Sequence, residues 1–304
     1  MYKTKNTIIS GMLLAVLATL VWSGNFVVAR GVIHQVAPIT LAFLRWACAS
    51  IILLPIAWKS FQHDRSTIWQ HRWHFLFAAI TGVSVFNTLV YIAGHYTSAI
   101  NLALIGTTSS PIFSFILARI FLKERIPPYR MAGLLVCISG ILLLLSRGSW
   151  DVLLHFKFTE GDWWVLAGAF SFAVYNIMAR KKPAEVSPKS YLLVTFFVGT
   201  VLLLPFVWME QQHAAPIHWN ASLVGIILYL GGGASVFSFF CWNQSIAYLG
   251  AARTAIFGNL IPIFASIEAV LILGEKITWI HVVSMCIVIA GLVLANMRQT
   301  TSTK

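Results

Sequence analysis

Apolar runs recur along the whole chain and are separated by short polar connections or by Pro and Gly clusters. At ~1.5 Å of helix per residue, about twenty residues cross the ~30 Å hydrocarbon core of a bilayer. The connections, of about fifteen residues at most, are too short for a soluble domain. The pattern therefore predicts an all-α integral membrane protein. Its ten transmembrane helices run approximately over 8–29, 38–58, 74–94, 98–120, 129–146, 162–180, 190–208, 221–243, 252–273 and 278–296.

Composition supports the membrane prediction. Of the 304 residues, 59% are apolar and only 10% are charged, against roughly 25% charged in soluble domains. The net charge of +12 does not indicate nucleic acid, because the basic residues lie in the connections and not on one amphipathic face. The first run follows Lys3 and Lys5 but is too long for a signal peptide, so we expect a retained helix. The four cysteines lie inside apolar runs without paired spacing, which favours free thiols.

The distribution of Lys and Arg predicts the orientation. With the N-terminus inside, the inward connections carry sixteen Lys and Arg residues and the outward ones carry four. Tryptophans cluster near the predicted helix ends, as an aromatic belt at the two interfaces requires. We therefore expect a multi-pass plasma (inner) membrane protein with both termini in the cytoplasm.

One phrase occurs twice, as "PIFSFILARIFLKERI" from Pro111 and as "PIFASIEAVLILGEKI" from Pro262. Eight of the sixteen aligned positions are identical, and 21–30 likewise aligns with 171–180. The chain therefore divides into two repeats of five spans, 1–150 and 151–304. Because five is odd, the second repeat enters the membrane from the opposite side. Inverted repeats with a site near the bilayer midplane are a recurring architecture of secondary transporters.

Three motifs carry a family resemblance. They are "LVWSGNFVVAR" in the first span, "PITLAFLRW" opening the second, and "PIF" followed by "LKERI" or "LGEKI" in the fourth and ninth. With them the chain resembles the EamA-type members of the drug/metabolite transporter superfamily. The resemblance implies ten helices around a central cavity, cytoplasmic termini, and export or exchange of small metabolites, most commonly amino acids. The position of Glu268 is usually apolar in that family.

Two charged residues lie inside predicted spans. Arg45 and Glu268 are roughly 10 Å and 8 Å from the outer surface at ~1.5 Å per residue. A charge at such depth costs several kcal/mol unless it faces water, pairs or is neutralised. Their similar depth permits an ion pair, although neither residue has a counterpart in the other repeat. Glu268 has three open roles: binding a cationic amino group of the cargo, carrying a proton, or persisting as a neutral residue.

Polar and aromatic side chains inside the spans are the other candidates for a binding site. Asn87 and Tyr91 are four residues apart and share a helix face. An amide in hydrocarbon is costly unless it has a partner, which favours a role in a cavity. The candidate substrate-binding residues are Trp22, Asn25, Asn87, Tyr91, Tyr175, Ser238, Trp242, Asn259 and Glu268.

Other features have a structural interpretation beside the functional one. Pro111, Pro262 and the run 231–233, with Gly82 as its weaker mirror, either free backbone carbonyls or let helices pack closely. Glu124 and Glu275 sit at helix ends, where capping or pairing within a connection is the favoured role.

These observations predict a secondary transporter that exports small organic solutes, such as amino acids or related metabolites, by alternating access. No phosphate-binding loop, HExxH or GxSxG motif occurs, so we expect neither an enzyme nor a cofactor. The alternatives are a nucleotide-sugar-like or drug exporter of the same fold, or a non-transporting scaffold. The expected partners are a small-molecule substrate and the lipid bilayer, with possible proton coupling and a monomeric or homodimeric state.

Overall fold

The computed structural model describes residues 5–32, 35–96, 99–146, 148–155, 159–273 and 279–297. All regular secondary structure in these ranges is helical. A short helix, Trp150–Leu154, joins the two halves of the chain. The long helices are α1 (Lys5–Val32), α2 (Pro38–Gln70), α3 (Arg72–Tyr96), α4 (Ala99–Phe121), α5 (Pro128–Leu145), α6 (Glu160–Arg180), α7 (Pro188–Gln211), α8 (Ala221–Leu249), α9 (251–273) and α10 (Trp279–Asn296).

Six helical segments of the described chain are long and apolar enough to cross a bilayer, which confirms an integral membrane protein. They lie in α1, α2, α3, α7, α8 and α10. Tryptophans near the helix ends are exposed, as the aromatic belt predicts: Trp58, Trp69, Trp73, Trp150, Trp163, Trp164, Trp208, Trp219 and Trp279. All four cysteines are free thiols.

The segment 59–70 differs from its prediction as a connection. It continues α2 as helix to Gln70, and only His71 separates α2 from α3. Residues 59–70 contain no Gly or Pro, so nothing in this polar stretch ends the helix where the apolar run stops.

Helices α2 and α7 cap each other. The carboxylate of Glu210, near the end of α7, accepts hydrogen bonds from the backbone nitrogens of Ile39 and Thr40 at 2.9 and 2.7 Å. The carboxylate of Asp64, in the later part of α2, accepts one at 2.8 Å from the nitrogen of Ser187, just before α7. A carboxylate is favourable at a helix N-terminus, where backbone N–H groups lack partners. Each helix thus begins beside the later part of the other, so the two run antiparallel.

Glu124 has the capping role that its position predicts. Its Oε1 atom accepts a hydrogen bond at 3.3 Å from the backbone nitrogen of Ala251, the first residue of α9. Glu275, its counterpart in the second repeat, lies outside the described residues.

The backbone is irregular near the glycines and at Pro262. The π-helical segment Ile80–Val85 contains Gly82, and the π-helical segment Tyr229–Phe237 contains the run 231–233. In α9 a 3₁₀ segment, Ile256–Leu260, precedes Pro262. Such segments interrupt the regular helical ladder and expose backbone groups to other partners.

Close packing accounts for two of these glycines. A Cβ atom on Gly82 would lie 2.2 Å from Cδ2 of Tyr175, and one on Gly231 would lie 2.5 Å from Sγ of Cys48. Helices approach more closely where a side chain is absent, so both glycines are also contact points between helices. Gly82 and Gly231 therefore combine the two roles: they lie in irregular helical segments, and they allow neighbouring helices to pack closely.

Candidate functional site

A cavity lies between the helices and is lined from both halves of the chain. Its empty volume is about 880 Å³, which includes space open to solvent, and most of its surface is apolar. Small-molecule sites are likewise lined mainly by apolar and aromatic side chains with a few polar groups. The wall consists of Trp22, Arg45, Phe86, Asn87, Val90, Gly106, Ser110, Pro111, Val165, Ala169, Phe172, Phe239, Trp242, Ala255, Gly258 and Ile261.

Four aromatic side chains of the cavity wall form a cluster around Trp22. The ring centroid of Trp22 lies 5.8 Å from that of Phe172, 5.5 Å from that of Phe239 and 5.0 Å from that of Trp242. The first two contacts are edge to face, an arrangement that aromatic rings favour. This cluster presents a rigid apolar surface to a bound solute.

Arg45 is the charged residue of the cavity wall, although only 2% of it is exposed. Its Nε donates to Ser235 Oγ at 2.7 Å. Its Nη1 donates to Asn87 Oδ1 at 3.1 Å and to the Tyr91 hydroxyl at 3.2 Å. Its Nη2 donates to the carbonyl oxygen of Ala234 at 3.1 Å. These acceptors are all uncharged. Their hydrogen bonds fix the plane of the guanidinium and offset part of the free-energy cost of burying an arginine within a membrane.

The carbonyl of Ala234 joins two parts of the site. It accepts from Nη2 of Arg45 and also, at 2.8 Å, from Nε1 of Trp22. Ala234 belongs to the π-helical segment of α8. Helices α1, α2 and α8 therefore meet at one backbone oxygen, as expected if irregular helices supply acceptors to a site.

Trp242 is held in place by a series of two hydrogen bonds. Its Nε1 donates to Asn176 Oδ1 at 2.9 Å, and Nδ2 of Asn176 donates to Ser114 Oγ at 3.2 Å. Sequence reasoning missed Asn176. It is an amide within an apolar span, and the cost of burying an unpartnered amide was the signal that could have identified it.

The candidate residues divide by location. Trp22, Asn87 and Trp242 lie on the cavity wall, and Tyr91 contacts the wall through Arg45. The side chain of Asn25 lies outside the described residues.

Three candidates lie elsewhere. The Tyr175 hydroxyl accepts from Asn243 Nδ2 at 2.6 Å, and its ring stacks on Phe172. Ser238 donates to the carbonyl of Gly233 in its own helix at 3.1 Å, so its hydroxyl is satisfied locally. Asn259 is fully buried in the 3₁₀ segment, and neither atom of its amide has a hydrogen-bond partner in the part of the chain that is described.

Glu268 lies apart from the cavity wall. Its Oε1 accepts from Ser23 Oγ at 2.7 Å, whereas Oε2 has no hydrogen-bond partner within the described chain. The two intramembrane charges thus have different described partners, and the ion pair that their similar depth permits is not among these contacts. Among the described residues, no three His, Cys, Asp or Glu side chains are grouped so that they could hold a metal ion.

Apolar helices of membrane-spanning length around an apolar cavity with a few polar groups are typical of a polytopic membrane transport protein. The EamA-like transporter family matches residues 9–146 and again residues 159–297. The chain belongs to this family and thereby to the drug/metabolite transporter superfamily.

Known relatives carry transporter names. An uncharacterized transporter of Archaeoglobus fulgidus is 27% identical over 94% of this chain and 97% of its own. A probable terminal-alkyne amino-acid exporter of Streptantibioticus cattleyicolor is 31% identical over 62% of this chain and 61% of its own. A probable amino-acid metabolite efflux pump of Salmonella typhimurium is 25% identical over 92% of each. A solved crystal structure with 17% identity aligns over 94% of this chain and 96% of its own with a TM-score of 0.77, which is a likeness of fold.

Proposed function

We propose that the protein is a secondary transporter that exports amino acids or related small metabolites across the plasma membrane. The cargo would occupy the central cavity, which opens alternately to the two sides. The names of the Streptantibioticus and Salmonella relatives support export and an amino-acid-like cargo. Because the chain belongs to a family of transporters, we propose no enzymatic activity for it.

The proposed architecture has ten transmembrane helices in two inverted repeats, 1–150 and 151–304. Two successive matches to one family support the repeat. The reciprocal capping of α2 and α7 supports the inversion, because these are the second helices of their repeats and run antiparallel. The excess of Lys and Arg in the inward connections supports cytoplasmic termini.

One observation carries the cargo assignment: Arg45 lies on the wall of a cavity whose surface is mostly aromatic and apolar. An arginine binds a carboxylate through charge-assisted hydrogen bonds that are short and directional. The rings of Trp22, Phe172 and Trp242 would then receive the apolar side chain of the same solute. A monocarboxylate with an apolar or aromatic side chain fits both features.

The same observation weighs against the alternatives. A nucleotide sugar carries several phosphate charges, and Arg45 is the one cation among the described residues that line the cavity. A non-transporting scaffold has no need of a cavity that combines a charged residue with an aromatic cluster, and a charge is costly in a membrane.

Alternating access requires that cargo bind the two conformations with different free energies. Arg45 bonds to α3 through Asn87 and Tyr91 and to α8 through Ala234 and Ser235. A carboxylate that draws hydrogen bonds from the guanidinium would weaken some of these links. We therefore infer that cargo binding loosens the contact of α2 with α8 and lowers the barrier to opening on the other side.

A solute panel tests the proposal. The purified full-length protein in proteoliposomes should exchange radiolabelled phenylalanine or leucine for the same unlabelled amino acid inside. Protein-free liposomes and an unlabelled polyanion such as a nucleotide sugar are the controls. We expect exchange of the apolar amino acids and no competition by the nucleotide sugar. If the protein exchanged a radiolabelled nucleotide sugar but no amino acid, the alternative transporter would be supported instead.

A further inference from the structure

Ser23 and Glu268 form a polar pair outside the cargo cavity, where α1 packs against α9. Ser23 is fully buried and Glu268 is half-buried. Neither residue is among those that line the cavity. The neighbour of Ser23 on α1, Trp22, does line the cavity. Helix α1 thus contributes adjacent residues to the cavity wall and to the Ser23–Glu268 pair.

The hydroxyl of Ser23 has two acceptors within reach. Its Oγ lies 2.7 Å from Oε1 of Glu268 and 2.5 Å from the carbonyl oxygen of Leu20. A serine hydroxyl has one hydrogen, so it donates to only one of these oxygens at a time. The heavy-atom geometry therefore fits two arrangements of protons equally well.

Each arrangement matches one protonation state of Glu268. When the carboxylate is ionised, Ser23 donates to Oε1. When the carboxyl is protonated at Oε1, it donates to Ser23 Oγ, and the Ser23 hydrogen turns to the carbonyl of Leu20. In both states the pair remains hydrogen-bonded without movement of heavy atoms. A site that accepts either state at little structural cost is suited to bind and release a proton.

A tyrosine hydroxyl lies near the carboxylate of Glu268. Tyr229 on α8 donates this hydroxyl to the carbonyl of Val21 at 2.6 Å, and the hydroxyl would lie 2.5 Å from a Cβ atom on Gly24. The same Cβ atom would lie 3.5 Å from Oε2 of Glu268. Helix α1 carries no charged residue between positions 6 and 24.

Glu268 lies in the segment Ile261–Leu273 of α9, which also packs against α4 and α10, and both of these helices carry a titratable group near one end. Arg119 is in the last turn of α4, and His281 is in the first turn of α10. Glu268 forms its described hydrogen bond with Ser23 and not with either of these groups. Arg45 on α2 is near enough to act electrostatically on the Tyr229 hydroxyl, as Glu268 is.

We propose that Ser23 and Glu268 form a proton-binding site that takes up and releases the proton exchanged for cargo. The proposal rests on the proposed transport function for its coupling to cargo, whereas proton binding itself does not depend on the cargo. Protonation converts an ionised group between α1 and α9 into a neutral one. Because α1 also carries Trp22, the change acts on a helix that forms part of the cavity wall.

Infrared spectroscopy tests proton binding without cargo. The full-length protein in lipid nanodiscs is titrated with pH, and the carbonyl-stretch band of a protonated carboxylic acid is followed in difference spectra. We expect the band in the parent protein and in Glu185→Gln, which changes an exposed carboxylate, and its loss in Glu268→Gln. Ser23→Ala should keep the band and move its midpoint pH. An unchanged band in Glu268→Gln, or no band in the parent, would overturn the proposal.

Transport tests the coupling. Proteoliposomes containing a pH-sensitive dye are loaded with phenylalanine, and the proton flux that accompanies its release is recorded. In Glu268→Gln, phenylalanine exchange should persist while accumulation driven by a pH gradient falls to the level of protein-free liposomes. If accumulation driven by a pH gradient survived the substitution, the proposed coupling of Glu268 to transport would be overturned. A parent protein that shows the Glu268 band but moves no amino acid would instead refute the proposed cargo and leave the proton site standing.

Discussion

Replacing Arg45 by Met is expected to lower the apparent affinity for an amino-acid cargo roughly 10- to 100-fold. The expectation follows because a hydrogen bond to a charged group contributes about 1.5–3 kcal/mol, and each ~1.4 kcal/mol corresponds to tenfold in affinity. The substitution also deprives Asn87, Tyr91 and Ser235 of their donor, so the protein should lose stability as well. The measurement is the concentration dependence of phenylalanine exchange in proteoliposomes.

Two further variants separate recognition from folding. Arg45→Lys keeps a positive charge but has fewer donors, and it should retain more affinity than Arg45→Met. Arg72→Met removes an exposed arginine that stacks on Trp69 and Trp73, so it controls for the loss of one basic residue. If a folded Arg45→Met protein exchanged phenylalanine with the parent affinity, Arg45 would have no role in binding the cargo.

Replacing Gly291 by Ala is expected to destabilise the protein by about 1–3 kcal/mol, the usual cost of overpacking a tight contact. A Cβ atom at this position would lie 2.6 Å from the backbone nitrogen of Cys137 and 2.7 Å from the carbonyl of Gly133. Both atoms belong to the backbone of α5, so no side-chain rotation relieves the clash. The helices α5 and α10 would have to move apart. Thermal unfolding in detergent, followed by tryptophan fluorescence, measures the effect.

Gly225 provides the matched control. It is also helical, but a Cβ atom there would meet nothing within 4 Å. Alanine at this position should be neutral or should stabilise the helix, because glycine is a poor helix former by about 1 kcal/mol. Equal melting temperatures for the Gly291→Ala and Gly225→Ala proteins would contradict the close packing of α5 on α10.

Local patterns were sufficient to predict much of the fold. Apolar runs located the helices because burial in lipid demands length and hydrophobicity from each span. The run 231–233 and Gly82 marked the irregular segments because glycine weakens a helix locally. Spacing placed Asn87 and Tyr91 on one face, and both bond to the same guanidinium.

Contacts between distant segments could not be predicted in the same way. Ser235 and Ala234 are 190 and 189 residues from Arg45 along the chain, and nothing in their local sequence indicates that they accept its hydrogen bonds. The similar depth of Arg45 and Glu268 suggested an ion pair, but depth does not determine which helix face meets which neighbour. Ser23, the described partner of Glu268, is a small residue whose importance depends on packing alone.

In the proposed function, Arg45 binds the carboxylate of a small apolar solute in the cavity. Competition on the unaltered protein tests it most directly: exchange of labelled phenylalanine is measured against unlabelled phenylalanine, phenylpropionate and phenylalaninamide. We expect inhibition by both carboxylates, and inhibition by the amide at least roughly tenfold weaker, because the amide lacks the charge that the guanidinium binds. Equal inhibition by phenylalanine and phenylalaninamide would contradict it.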